Sequence, residues 1–373
     1  MSLLNVKPYD NYFYEEHLKD FLPDTFIDCH THIWREEQNH FAEDKAKRSC
    51  AWPGMVAKDH PVEDLNETNR LLFPGKQVIS VLYGNASITV DLKWNNNYVA
   101  ESANKYNFPA LYLTHPSQSA ESVERAVLAN PCFKGLKVYL EFSPSYIPNH
   151  EIRIYDFLTR EHLALADKHG WVVQLHISRP KRLADPMNYV QLLEIEQTYP
   201  NIKLIVAHLG RAYANEDLGN ALDYLKNSER TIWDFTANTN QFVMEKVLEQ
   251  YGSDRFIYGT DFPIFRMKAR RTVENGFYIN EVPMGSLGDV SADPHMREIP
   301  YPEADKITFF IYEEILSCKK ACETLGLGKD DVKKIFYENS ARIFSALALI
   351  SALIAATTLV ARVGSVIRLI GGF

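Results

Sequence analysis

The sequence predicts an α/β fold, a (β/α)8 TIM barrel with an inserted loop after strand eight and an apolar C-terminal tail. Three observations predict it. Eight short apolar runs recur along the chain, each followed by a turn or polar stretch and then by residues at helical spacing, the alternation expected of βα units around a parallel sheet. The first run leads into neither a GxGxxG turn nor a phosphate loop, which argues against a doubly wound open sheet. Polar residues of metal-binding types stand where several runs end, and a closed barrel would bring those ends to one mouth.

Taken in order, the predicted strands are Thr25–His32, Val78–Asn85, Phe108–Pro116, Gly135–Phe142, Trp171–Ser178, Lys203–Gly210, Thr231–Asn238 and Arg255–Pro263. Among the helices between them, Ile152–Gly170 presents Ile154, Phe157, Leu158, Leu163 and Leu165 and stops at a glycine, as helices commonly do. The stretch Ile264 to Asp305 is rich in Pro, Gly and charge and is too long for a simple βα loop. It reads equally as a lid over the catalytic face or as a surface excursion. The barrel takes residues 1–344. The tail, Ser345–Phe373, opens with 17 uncharged residues, at the short end of what spans a bilayer. Three readings compete for it: a membrane anchor, an apolar helix packed on the barrel or on a second subunit, or a stretch unrelated to the fold. Arg362 and Arg368 fall where a longer span needs apolar residues, which favours the second.

Composition narrows the function classes. With 373 residues, 46% hydrophobic and 24% charged, the chain holds either one large domain or two smaller ones, and the βα alternation favours one. A net charge of −8 without a long Lys/Arg run argues against nucleic acid as a partner. Five scattered cysteines without a CxxC pair suit a reducing cytoplasm. The N-terminus lacks the basic start and apolar run of a signal peptide. The expected partner is a small-molecule substrate, with a homo-oligomer contact through the tail as a further expectation.

The chemistry concentrates in Asp28-Cys29-His30-Thr31-His32. Strand alternation puts Asp28, His30 and His32 on one side. Two imidazoles one strand repeat apart can grip a single metal, and zinc accepts such nitrogens at about 2.0–2.1 Å. His176 ends the fifth run in Val-Val-Gln-Leu-His, His208 the sixth in Ile-Val-Ala-His-Leu-Gly, and Asp261 the eighth in Tyr-Gly-Thr-Asp-Phe-Pro. One such histidine is usually structural. Four of them with an aspartate at matched positions point to a metal site.

This pattern resembles the amidohydrolase superfamily, and most of all its amidohydrolase-related branch (amidohydrolase family 2), which also contains nonoxidative decarboxylases. The resemblance runs from about Phe26 to Phe344, including the closing segment Tyr337-Glu338-Asn339-Ser340-Ala341-Arg342-Ile343-Phe344, and does not reach the tail. It implies that His30, His32, His176 and Asp261 hold one divalent metal, with His208 a second-site ligand or a free acid–base residue. Zinc suits those ligands best, and manganese, iron or cobalt also suit them. A metal with an open position would lower the pKa of bound water to about 7. Asp261 would take the proton of that water and pass it to the leaving group, while His208 would stabilise the developing oxyanion or protonate the product.

Lys137, in Gly-Leu-Lys-Val-Tyr, matches the position of a carboxylated lysine that bridges two metals in binuclear members. The branch implies one metal instead, leaving Lys137 to meet an anionic substrate or to pair with Glu141. Arg35, Arg179 and Arg211 follow strands one, five and six, where they either clamp a substrate carboxylate or stay solvated. Trp34 either offers a ring face to the substrate or packs in the core. His150, His162 and His169 are expected at the surface. The function expected is a cytoplasmic metal-dependent hydrolase that opens an ester, lactone or amide bond in a small carboxylated substrate through a metal-activated water. A metal-dependent nonoxidative decarboxylase is the rival, and a membrane-tethered or non-catalytic binding barrel the third reading.

Overall fold

The computed structural model describes residues 3–38 and 53–344. Eight parallel strands follow one another in chain order: β1 (Thr25–His32), β2 (Gln77–Tyr83), β3 (Ala110–Leu113), β4 (Phe133–Val138), β5 (Val172–Leu175), β6 (Lys203–Val206), β7 (Ile232–Asp234) and β8 (Phe256–Ile257). Backbone bonds past β8 close the ring. Cys29 N–H donates to the Tyr258 carbonyl at 3.0 Å, Asp261 N–H to that of His30 at 2.8 Å, and His32 N–H to that of Phe262 at 2.8 Å. The barrel expected from the sequence is the fold observed.

Helices between the strands begin where the sequence supplies caps. Asp91, Ser119, Thr159, Asp185 and Asn240 each accept a backbone N–H of the first turn that follows them. The cap at Thr159 also corrects one expectation. The helix begins at Arg160, not Ile152, while Ile152, Ile154, Phe157 and Leu158 are buried in the segment leading up to it. It does end at Gly170, whose φ of 62° is the left-handed cap. His162, expected at the surface, is fully buried, with Nε2 2.9 Å from the Gln118 carbonyl.

Several strands stop short of their predicted C-terminal ends. Beyond the ladder, His208, Leu209, Ala237 and Asp261 all have positive φ, a conformation that no strand accommodates. The stretch after β8 is a second correction: it is no loop but a three-stranded sheet of β9 (Arg270–Glu274), β10 (Phe277–Pro283) and β11 (Met296–Ile299). Glu274 pairs with Phe277 across Asn275-Gly276, whose φ values of 52° and 76° make the tight hairpin that Asn-Gly favours.

Inside the barrel, Ile27, Val81, Leu111, Val172, Ile205, Ile232 and Ile257 meet one another and the side chains of Ala341, Ile343 and Phe344. The closing segment thus plugs the base. Asn339 Nδ2 donates to the carbonyls of Ser253 (2.7 Å) and Phe256 (3.0 Å), and Lys203 Nζ to that of Ile343 (2.9 Å). The tail Ser345–Phe373, with every reading of it, lies outside the described residues. Among those described, no helix is long and apolar enough to cross a membrane.

Candidate metal centre

The site starts from an irregularity in β1. Its register with β2 shifts between Asp28 and Thr31, so strict alternation fails there. Asp28 therefore does not join His30 and His32. Its Oδ1 accepts the N–H of His30 (3.1 Å) and of Thr260 (2.9 Å), and its Oδ2 the Thr260 hydroxyl (2.6 Å). Burial pushes this carboxyl up to about 8, against the pull of the Thr260 bonds. Asp28 ties β1 to the segment that carries Asp261.

The imidazoles of His30 and His32 and the carboxylate of Asp261 converge, with one donor atom of each within 4.8 Å of the others. Asp261 Oδ1 lies 3.3 Å from His32 Nε2 and 3.6 Å from His30 Nε2. His208 joins them with its ring centre 4.8 Å from that of His30, and His176 follows at 5.0 Å from His208. His176 is outside the tight triad but adjoins it through His208.

Each ring is held from behind at Nδ1. The partners are Asp234 Oδ2 for His30 (2.6 Å), the Gly84 carbonyl for His32 (2.9 Å), the Ile177 carbonyl for His176 (3.2 Å) and the Thr236 carbonyl for His208 (2.9 Å). With an acceptor at every Nδ1, the hydrogen belongs there and the Nε2 lone pair is left for a ligand. Burial lowers the proton affinity of His30 and His176 far below the usual range and that of His208 to about 3. After burial, Lys137 acts most on His30, neighbouring His208 and Arg211 on His176, and His30 on His208. These three rings are neutral, the form that binds metal.

Lys137 is wholly buried, with Nζ 3.3 Å from His30 Nε2 and 4.6 Å from the centre of the Tyr83 ring. Burial draws its ammonium down to about 8, opposed by Asp234 and Asp261. Two glycines make the crowding possible. A Cβ on Gly259 would lie 2.2 Å from Thr236 Oγ1 and 2.6 Å from His30 Cβ, and one on Gly84 would lie 2.0 Å from Asn95 Oδ1.

The rim residues divide. Arg179 spends its guanidinium on the carbonyls of Ile152 (2.9 Å) and Glu151 (3.2 Å) and on Asp185 (3.5 Å). It lines an open depression of about 430 Å³ with Tyr146, Ile147, Glu151, Arg153 and Asp156, none of them a residue of the histidine cluster. Arg35 lies 3.3 Å from Asp59. Trp34 is buried, its Nε1 bonded to the Lys58 carbonyl at 3.0 Å and its ring centre 6.4 Å from that of His32. Arg211 makes no side-chain ion pair or hydrogen bond among the described residues, and it is close enough to bear on His176.

Asp234 is the residue that sequence reading missed. Its position carried a signal, because it ends the apolar run Thr-Ile-Trp-Asp just as His208 and Asp261 end theirs. Its bond to His30 spans 204 positions, which no local pattern shows.

Comparison with known proteins gives the family and the fold. The family model described as amidohydrolase matches residues 27–346. No curated protein matches the chain. Among solved structures, a probable 2-pyrone-4,6-dicarboxylic acid hydrolase from Acinetobacter baumannii, with citric acid bound, is 15% identical at a TM-score of 0.52, over 86% of this chain and 99% of that one. A 5-carboxyvanillate decarboxylase from Novosphingobium aromaticivorans, complexed with manganese and 4-hydroxy-3-methoxy-5-nitrobenzoic acid, is 14% identical at 0.51, over 86% and 96%. An amidohydrolase from Burkholderia multivorans with bound zinc is 12% identical at 0.52, over 86% and 99%. At these identities the solved structures speak for the fold.

Proposed function

This chain belongs to the amidohydrolase family, and we propose that it is a metal-dependent hydrolase that opens an ester, lactone or amide bond in a small carboxylated substrate. One observation carries the reading: His30, His32 and Asp261 converge while each histidine of the cluster is engaged at Nδ1 and keeps Nε2 for a ligand. Imidazoles backed by fixed acceptors, together with one carboxylate, fit a divalent cation such as zinc or manganese. We assign His30, His32, His176 and Asp261 to hold it. When bound, the cation supplies Lewis acidity, polarising a substrate oxygen and acidifying a water.

The protein's own groups do the rest. Asp261 takes the proton of the attacking water and hands it to the leaving group. His208, aimed by Thr236, presents its Nε2 lone pair to the site; only after taking up there the proton that Asp261 removes from the water can it donate to the developing negative charge or protonate the product. Arg211, whose guanidinium has no partner among the described residues, is offered to a substrate carboxylate, and Lys137 adds buried positive charge beside His30. The described cysteines, all free and buried, suit a reducing cytoplasm.

Nonoxidative decarboxylation is the second reading, favoured by the decarboxylase among the structural neighbours. Metal content per chain tests the common premise: about one zinc or manganese, lost in His30→Ala/His32→Ala, is expected from a site with a single set of ligands. Two metals would point to a carboxylated Lys137 as the bridging ligand, and none after incubation with metal salts would overturn the proposal. Assays on lactones and on aromatic acids then separate the reactions, since only decarboxylation releases carbon dioxide.

A further inference from the structure

The turn that follows β7 serves two of the four histidines. Asp234, the last residue of the strand, holds His30, and the Thr236 carbonyl two residues on accepts from His208 Nδ1. Next comes Ala237, a buried residue with a φ of 57°. A non-glycine side chain disfavours this left-handed conformation, which persists only where the surroundings enforce it.

Two side chains from outside the eight-stranded sheet enforce it here. The Ala237 N–H donates to Glu314 Oε2 at 2.7 Å, from the helix Phe310–Thr324. Its carbonyl accepts from Arg271 Nη1 at 2.7 Å, from β9 of the inserted sheet. Arg271 is itself fixed on several sides. Its Nε donates to Asn280 Oδ1 at 2.8 Å, and its guanidinium sits 4.5 Å from the centre of the Tyr213 ring and 4.9 Å from those of Tyr278 and Phe310. A planar fork can meet a carbonyl, an amide and ring faces at once, whereas a lysine ammonium cannot. Asn238 completes the turn, its Nδ2 donating to the carbonyls of Ala212 (2.8 Å) and His208 (3.4 Å).

We propose that Arg271 and Glu314 are positioning residues for His208: gripping Ala237 at both ends, they hold the turn whose Thr236 carbonyl selects the His208 tautomer and aims its Nε2 into the site. On this account the insertion is neither a moving lid nor an idle excursion but a fixed brace. The kinetic part of the inference rests on the role given to His208 above; the spectroscopic part does not.

The test uses the full chain labelled with 15N-histidine, metal-free and zinc-loaded, with His208→Asn to assign the His208 ring. Long-range 1H–15N spectra are expected to show a single Nδ1-protonated tautomer for His208 in the unmodified protein. In Arg271→Met and in Glu314→Leu, which removes the acceptor of the Ala237 N–H, that signal is expected to split between tautomers or broaden, while His32 and His176 keep theirs and zinc content is unchanged. Turnover should fall between about tenfold and a hundredfold with KM within about twofold, since displacement of a reacting group acts on the chemical step. Arg271→Lys should recover part of the loss, and in a His208→Asn background Arg271→Met should cost less than about twofold, because the two act as one unit. Should Arg271→Met fail to fold, Asn280→Ala removes a partner of the guanidinium and is expected to give the same signature more weakly. Unchanged His208 signals in the folded variants would overturn the proposal. So would a raised KM with turnover retained, which would make Arg271 a substrate contact. If His208→Asn leaves turnover intact, the catalytic role of His208 fails instead, and the spectra still decide whether the brace exists.

Discussion

At the base of the barrel, Glu196 accepts the Ser228 hydroxyl at 2.6 Å and the backbone N–H groups of Glu229, Thr231 and Arg230 at 2.7, 2.9 and 3.2 Å, together with the Thr231 hydroxyl. Burial alone would push this carboxyl up, yet its donors outweigh burial and hold it below the usual range. At the mouth the balance is reversed. Burial raises Asp28, Asp234 and Glu314 and lowers Lys137, and Glu314 Oε1 has no hydrogen-bond partner among the described residues. Positive φ at the non-glycine residues Arg179, Arg182, His208, Leu209, Arg211, Ala237 and Asp261 clusters there too. The base thus spends a buried carboxylate on satisfied bonds, whereas the mouth keeps buried ionisable groups and strained backbone around the converging ligands.

The strongest test of that division is at the mouth. Asp261→Asn should cut turnover by on the order of 10³-fold or more while the melting temperature stays close to that of the unmodified protein. Steady-state rates and calorimetry check both, and a large loss of stability with activity kept would erase the distinction. Asp234→Asn weakens the hold on His30 without removing a converging ligand, so chelator competition should show metal affinity lower by about 10–100-fold.

Asn339→Ala probes the base. It strips a donor from two buried carbonyls and should cost about 2 kcal/mol in denaturant unfolding, with metal content and turnover per folded chain unchanged. Loss of metal in this variant would mean that the two ends are not independent. The smallest effect is a pH dependence. Because the folded pKa of Glu196 is depressed, its stabilisation is present above the unfolded value of about 4.3 and is lost as pH falls through the folded one. The melting-temperature gap between the unmodified protein and Glu196→Gln should therefore narrow below about pH 4. A gap that widened in acid would contradict the donor-held carboxylate.

Much of the site was legible because it is written locally. His176, His208 and Asp261 each stand where an apolar run gives out, and His30 and His32 share one strand. The Asn275-Gly276 hairpin was equally local, and reading the insertion by its composition obscured it. Asp28 misled for a different reason: the shift in register at the end of β1 breaks the alternation from which its direction was read. Arg179 had the same standing in the sequence as Arg211, and only their surroundings separate a guanidinium committed to Ile152, Glu151 and Asp185 from one without a side-chain partner among the described residues.

The sequence by itself determined the βα order, the barrel and the residues that reach its mouth, because periodicity and run ends are properties of neighbouring positions. Only the tertiary structure decided which nitrogen of each histidine faces the site and which groups hold it there. Asp234 behind His30, Thr236 behind His208, and Arg271 with Glu314 on Ala237 are brought together by closure of the barrel and docking of the insertion. Contacts between residues so far apart in the chain exist only once those surfaces are packed.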